Sequence, residues 1–126
     1  MNIRRNSLLI DAPESTIYEF NKYLLSALDT DFRDGDGVED VLVDIDRLEK
    51  GEIESCLAGT PDNFMHSLTR NQVTFEHAVF GECLEWPLWS CTLAQYKAAL
   101  QGWKQFLQLP KSTDSELIVE LPDAVP

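Results

Sequence analysis

Apolar side chains recur at Ile17, Phe20, Leu24 and Leu28, the spacing that lays one stripe along a helix. Just ahead, Asp11-Ala-Pro-Glu14 has the form of a helix start, with an Asp cap, Pro in the first turn and Glu three residues on, so residues 12–28 are predicted as a first helix. The stretch from Asp29 to Gly37 is dense in Asp and Gly and reads as a loop. A second stripe, Val38, Val41, Leu42, Ile45 and Leu48, predicts a helix ending near Gly51, where glycine suits a left-handed cap. Glu39 and Asp40 sit at its positive end and Arg47 and Lys50 at its negative end, so the charges complement the macrodipole.

From Glu52 to Cys91 the period shortens. Phe64, His66 and Leu68 interleave with Met65, Ser67 and Thr69, and Val73, Phe75 and His77 interleave with Thr74, Glu76 and Ala78. Turn residues at Gly59-Thr-Pro-Asp-Asn63, Arg70-Asn71 and Gly81-Glu82 separate the runs, and connections this short cannot carry parallel crossovers. An antiparallel meander follows. Thr92-x-x-Gln95 then has the form of a capping box, and Leu93, Tyr96, Leu100, Trp103 and Leu107 make the most regular stripe in the chain, ended by Pro110. Beyond the polar residues 111–116, Leu117 to Pro122 reads as an edge strand or an ordered tail.

The expected fold class is therefore α+β: an antiparallel β-meander of three to five strands packed with about three amphipathic α-helices. With 126 residues, 44% of them hydrophobic, the chain is long enough for one core without disulfide or metal staples, so residues 1–126 are expected to form a single domain. Its parts are an acidic loop and helix (29–54), the meander (52–91), a C-terminal helix (92–109) and a tail (110–126).

Charge changes the picture more than composition does. The chain has 22 acidic against 10 basic side chains, a net charge of −12. Residues 29–54 hold 11 of those 22 acids with only Arg33, Arg47 and Lys50 on the basic side, whereas residues 55–110 are almost neutral. This sign excludes binding to nucleic-acid backbone, which needs Lys and Arg, and it excludes anionic membrane surfaces. A local excess points instead to a basic partner, whose encounter it can steer. Asp34, Asp36, Glu39, Asp40, Asp44 and Asp46 are the candidate partner-binding residues; the plain alternative is a solvated helix face. No apolar run is long enough for a signal peptide or a membrane span, so a cytoplasmic protein is expected.

Catalytic and metal motifs fit poorly. Asp29-x-Asp31-x-x-Asp34-Gly-Asp36-Gly37 has the look of a calcium loop, but one register puts Arg33 at position 5 and the other puts Phe32 at position 1 and Val43 at position 12. Cys56, Cys83 and Cys91 are odd in number, lack C-x-x-C spacing and read as free thiols. His66 and His77 are the only histidines; pairing across the Arg70-Asn71 turn would bring them near each other and near Glu76, which keeps a small ligand-binding or enzymatic pocket open as an alternative. Trp86 and Trp89, in Leu84-Glu-Trp86-Pro-Leu-Trp89, read as closing a small core or as anchors for a partner. No enzyme, cofactor or metal is expected.

In order, the acidic helix Val41-Leu-Val-Asp-Ile-Asp-Arg-Leu-Glu-Lys-Gly-Glu52, the meander, and Thr92-Leu-x-x-Tyr96 leading to Trp103-x-x-Phe106-Leu107 resemble small bacterial immunity proteins of contact-dependent growth inhibition and related polymorphic toxin systems. The resemblance covers residues 38–107. It implies a protein that binds a cognate toxin domain, commonly a nuclease, and blocks its active site or substrate groove. It transfers no individual contact residue. An acidic adaptor that mimics DNA is a further reading of the same charge.

Overall fold

The computed structural model describes residues 7–11, 16–32, 35, 37–60, 63–108 and 116–120. The first element is a strand, β1 (Ser7–Asp11). Helix α1 follows at residues 17–31, with α turns at Ile17–Glu19 and Ser26–Asp31 flanking a π-wound stretch, Phe20–Leu25. Its buried face carries Phe20, Tyr23, Leu24, Ala27, Leu28 and, at the end, Asp31.

The predicted helix over 12–28 is thus corrected. Residues 12–15 lie outside the described residues, and the C-terminal end runs on through Asp29-Thr-Asp31, which the turn-rich composition had assigned to a loop. Tertiary bonding explains the extension: the Asp31 carboxylate accepts hydrogen bonds from two distant side chains, and the Phe32 N–H closes onto the Ala27 carbonyl at 3.2 Å. Local propensity is weak beside such contacts.

Helix α2 (Val38–Glu49) buries Val38, Val41, Ile45 and Leu48 of the predicted stripe and leaves its fifth member, Leu42, half-buried. Gly51, at φ +77, follows it in the left-handed conformation that glycine adopts at little cost. Four strands come next, β2 (Ser55–Gly59), β3 (Phe64–Thr69), β4 (Gln72–His77) and β5 (Trp89–Thr92), antiparallel in the order β2-β3-β4-β5. Phe64, His66, Leu68, Val73, Phe75 and His77 are buried on one face, while Met65, Ser67, Thr69, Gln72 and Glu76 are exposed on the other. The helices therefore cover one side of the sheet only.

Helix α3 (Leu93–Leu107) begins in the predicted capping box: the Gln95 N–H donates to Thr92 Oγ1 and the Thr92 N–H to Gln95 Oε1, each at 3.0 Å. Trp103 Nε1 donates to the Phe32 carbonyl at 2.8 Å and ties α3 to the end of α1. Trp86 and Trp89 pack against the core around Tyr23, whose ring stacks on Trp89 and whose hydroxyl donates to the Pro87 carbonyl at 2.6 Å. The last element, β6 (Glu116–Glu120), pairs in parallel with β1 as a separate two-stranded sheet, Ser7 opposite Glu116 and Asp11 opposite Glu120. Together these elements are a four-strand antiparallel meander packed with three helices, an α+β fold. Among the described residues no helix is long and apolar enough to cross a membrane.

Candidate functional site

The acidic helix is the first place to look. Asp34 and Asp36 lie outside the described residues. On α2, Glu39, Asp40 and Asp46 are exposed and Asp44 is half-buried, on the side away from the Val38-Val41-Ile45-Leu48 stripe or at its margin. Most of these carboxylates already face a cation. Lys50 Nζ lies 2.9 Å from Asp46 and Arg47 lies 3.8 Å from Asp44, both along α2. Two more cations arrive from α3: Lys104 pairs with Glu39, and Lys97 Nζ lies 2.9 Å from Glu49. The pairs run in opposite chain order, so α2 and α3 lie antiparallel. Of the four described candidates only Asp40 has no ion pair among the described residues.

The surface excess is therefore smaller than the segment's composition implies. Asp31, one of the acids in 29–54, is inside the protein, and α3 returns two lysines to the acidic face. Such exposed pairs are screened by water and contribute little net stability, so an incoming cation with better geometry can replace them. The Asp46 carboxylate holds the Lys50 ammonium above its ordinary range through their hydrogen bond.

A second group of side chains was not foreseen. Asp31, His66 and Tyr96 form a buried chain: Asp31 Oδ2 is 2.8 Å from His66 Nε2, and His66 Nδ1 is 2.8 Å from the Tyr96 hydroxyl. The Thr60 hydroxyl donates to Asp31 Oδ1 at 2.6 Å. His66 and Tyr96 are fully buried. A carboxylate only accepts, which places a hydrogen on Nε2 and leaves Nδ1 to accept from Tyr96. Burial first, then the charges of Cys91, Asp31 and Cys56, push the Tyr96 phenol well above its usual range, so its hydroxyl keeps the proton it donates. Each member has its partner, as a buried polar network requires.

The arrangement binds four elements to one point: the end of α1, the turn after β2, the middle of β3 and the second turn of α3. Its imidazole has Phe32, Phe75 and Tyr96 around it, with ring centroids 4.6–5.7 Å away, and no surface through which a substrate atom could meet it. His77 is engaged differently. Its Nδ1 accepts from the Val79 and Phe80 N–H groups, each at 3.2 Å, closing the turn after β4. Hairpin pairing sets His66 opposite Phe75 and His77 opposite Phe64, both inward, whereas Glu76 is on the exposed face and meets neither.

The signal for Asp31 is present in the chain. Positions 20, 23, 24, 27, 28 and 31 continue one helical face, and following that period through the aspartates would have put Asp31 on the apolar side. Tyr96 lies on the α3 stripe, which marks its burial but not its partner, and Thr60 carries no comparable mark. Among the described residues, no three His, Cys, Asp or Glu side chains converge as a metal site would need.

The described residues also form an open concavity on the sheet's exposed face. A groove of about 300 Å³, at the lower end of the range for ligand pockets, lies at the end of β2 and is lined by Leu57, Ala58, Gly59, Thr60, Met65 and Ala78. Gly59, at φ +102, forms part of it because nothing larger fits: a Cβ there would meet the Phe64 carbonyl oxygen at 2.0 Å and His66 Cδ2 at 3.1 Å. The chain matches no protein-family model, no curated protein and no solved structure.

Proposed function

We propose that this chain is an immunity-type binding protein that neutralises a basic toxin domain of the nuclease class, using the carboxylates along α2 as stand-ins for phosphates. The observation that carries the reading is the run of exposed or half-buried acids on one helix, Glu39, Asp40, Asp44 and Asp46, all but Asp40 held in exchangeable surface ion pairs. A nuclease must present Lys and Arg to its substrate, and those groups can take over these carboxylates through charge-assisted hydrogen bonds. Rim charges of this kind act chiefly on the association rate. Cytoplasmic action, before the toxin reaches its nucleic acid, fits the same reading.

The competing readings draw less support. Both histidines are engaged within the core, so neither offers itself to a pocket. A DNA mimic needs an unbroken row of negative charge, and here Arg47, Lys50, Lys97 and Lys104 interrupt it.

The test is co-expression with basic nuclease toxin domains, wild type against Asp40→Lys/Asp44→Lys/Asp46→Lys. The triple variant should keep the wild-type circular dichroism spectrum, lose protection of growth, and bind the toxin about ten-fold or more slowly at low salt. Full protection by the triple variant would overturn the proposal.

A further inference from the structure

The sheet ends in a bare edge. Within the β2–β3 ladder the Thr60 N–H donates to the Phe64 carbonyl at 3.2 Å, continuing the register in which Ala58 faces His66 and Cys56 faces Leu68. Antiparallel pairs alternate between bonded and non-bonded, so Cys56, Ala58 and Thr60 bond inward to β3. Ser55, Leu57 and Gly59 then turn their N–H and C=O groups outward. No described residue bonds to those outward groups. Natural edges are usually blunted by Lys, Pro, a bulge or a covering element. The strand Ser-Cys-Leu-Ala-Gly carries neither charge nor proline.

Two further observations say what would cover it. Leu57 is 67% exposed and Met65 43% exposed, and both line the groove, which can accept one large apolar side chain from a strand laid along β2. Around this apolar strip the balance of charge is negative, with Arg70, just after β3, as the opposing cation. Glu52 and Glu54 are exposed immediately before β2, and Glu76 faces Met65 across the ladder on the same exposed face. On the helix side Asp44 and its partner Arg47 both act on Cys56, whose thiol is raised by burial first and by the carboxylate second and lowered by the guanidinium, so that side adds little net charge.

We infer that the free edge of β2 and the groove at its end form a strand-addition site for an extended basic segment, with alternate apolar side chains, of the partner protein. Main-chain hydrogen bonds to Ser55, Leu57 and Gly59 supply affinity, and the groove selects the side chain that enters it. A second copy of this chain fits worse, because it would bring its own Glu52 and Glu54, and a net charge of −12, to the same acidic rim. The identity of the partner as a toxin rests on the function proposed above. The edge, the groove and their charge do not.

The test uses the whole chain and a capped peptide, Lys-Val-Lys-Leu-Lys-Val-Lys. At saturation the peptide should slow hydrogen exchange at the Leu57 and Gly59 amides about ten-fold or more, the equivalent of about 1.4 kcal/mol. Leu57→Pro removes only an outward N–H, which an edge strand tolerates, and should weaken the peptide about ten-fold or more. Leu57→Lys, which keeps the backbone and adds a like charge beside the peptide's lysines, should do the same and serves if the proline variant does not fold. Binding without protection of Leu57 and Gly59, no binding up to about 1 mM, or a wild-type dimer in sedimentation that Leu57→Pro dissolves would each overturn the inference. Toxin neutralisation undiminished in Leu57→Pro would refute the edge while leaving the proposed function standing. Peptide binding at the edge with no effect on any toxin would do the reverse.

Discussion

Replacing Asp31 by Ala removes the acceptor at the centre of the buried chain and leaves two donors behind. His66 Nε2–H is 0% exposed, so water cannot take over its bond, whereas the half-buried Thr60 hydroxyl can turn outward. Stranding a buried hydrogen-bond donor costs about 1–3 kcal/mol, a fair share of the roughly 5–15 kcal/mol that holds a domain together. At about 3–4 °C per kcal/mol for a chain of this size, the melting temperature should fall by about 3–12 °C. Urea titration followed by far-ultraviolet circular dichroism gives the free energy directly, provided the slope is unchanged. The companion variants are His66→Phe and the pair Asp31→Ala/His66→Phe. Because the second change removes the stranded donor, the double variant should be about 2 kcal/mol more stable than the sum of the singles predicts. A cost below about 1 kcal/mol for Asp31→Ala, or singles that add within about 0.5 kcal/mol, would refute the buried chain as described.

Three other outcomes follow from the packing. Gly59→Ala should cost about 3 kcal/mol or more by urea titration, since its Cβ meets backbone, while Gly51→Ala, also at positive φ but with nothing within 4 Å, should cost only the left-handed strain of about 1–2 kcal/mol. Burial pushes the Cys91 thiol up to about 12 from its ordinary 9.0, so the folded protein keeps a proton that the unfolded chain releases; that contribution is whole below pH 9 and is lost as pH rises towards 12, by at most about 4 kcal/mol. The urea midpoint should decline over that range, less steeply in Cys91→Ala, and identical slopes in the two proteins would contradict it. A disulfide reagent at pH 8 should titrate the exposed Cys83 first, the half-buried Cys56 slowly, and Cys91 only on unfolding.

Regular periodicity carried most of the architecture. The α2 and α3 stripes, the Thr92–Gln95 box and the alternation of β3 and β4 are local patterns, and each stands where its period places it. What escaped is non-local. Asp29-Thr-Asp31 is loop-like by composition, and the bonds that hold its end helical come from Thr60 and His66, twenty-nine and thirty-five positions away. The run Leu8-Leu9-Ile10 is too short to declare a strand until its partner at 116–120 is known. The candidate acids were readable as a helix face, but their partial neutralisation was not, because Lys97 and Lys104 belong to a helix half a chain away. The bare edge of β2 likewise depends on which strands pair, a matter that one strand's own residues do not decide.

The pairing of β1 with β6 has a consequence for how the protein is made. Strand β1 leaves the ribosome ahead of the other described elements, but its partner follows only after about 110 residues, some 5–20 s later at ordinary elongation rates. Meanwhile the intervening helices and meander, whose contacts are mostly between neighbours in the chain, can assemble on their own, because short loops close at lower entropic cost than long ones. Ser7–Asp11 is thus synthesised ahead of the other described elements, and its pairing with Glu116–Glu120 acts as a latch that closes only once all of them have been made.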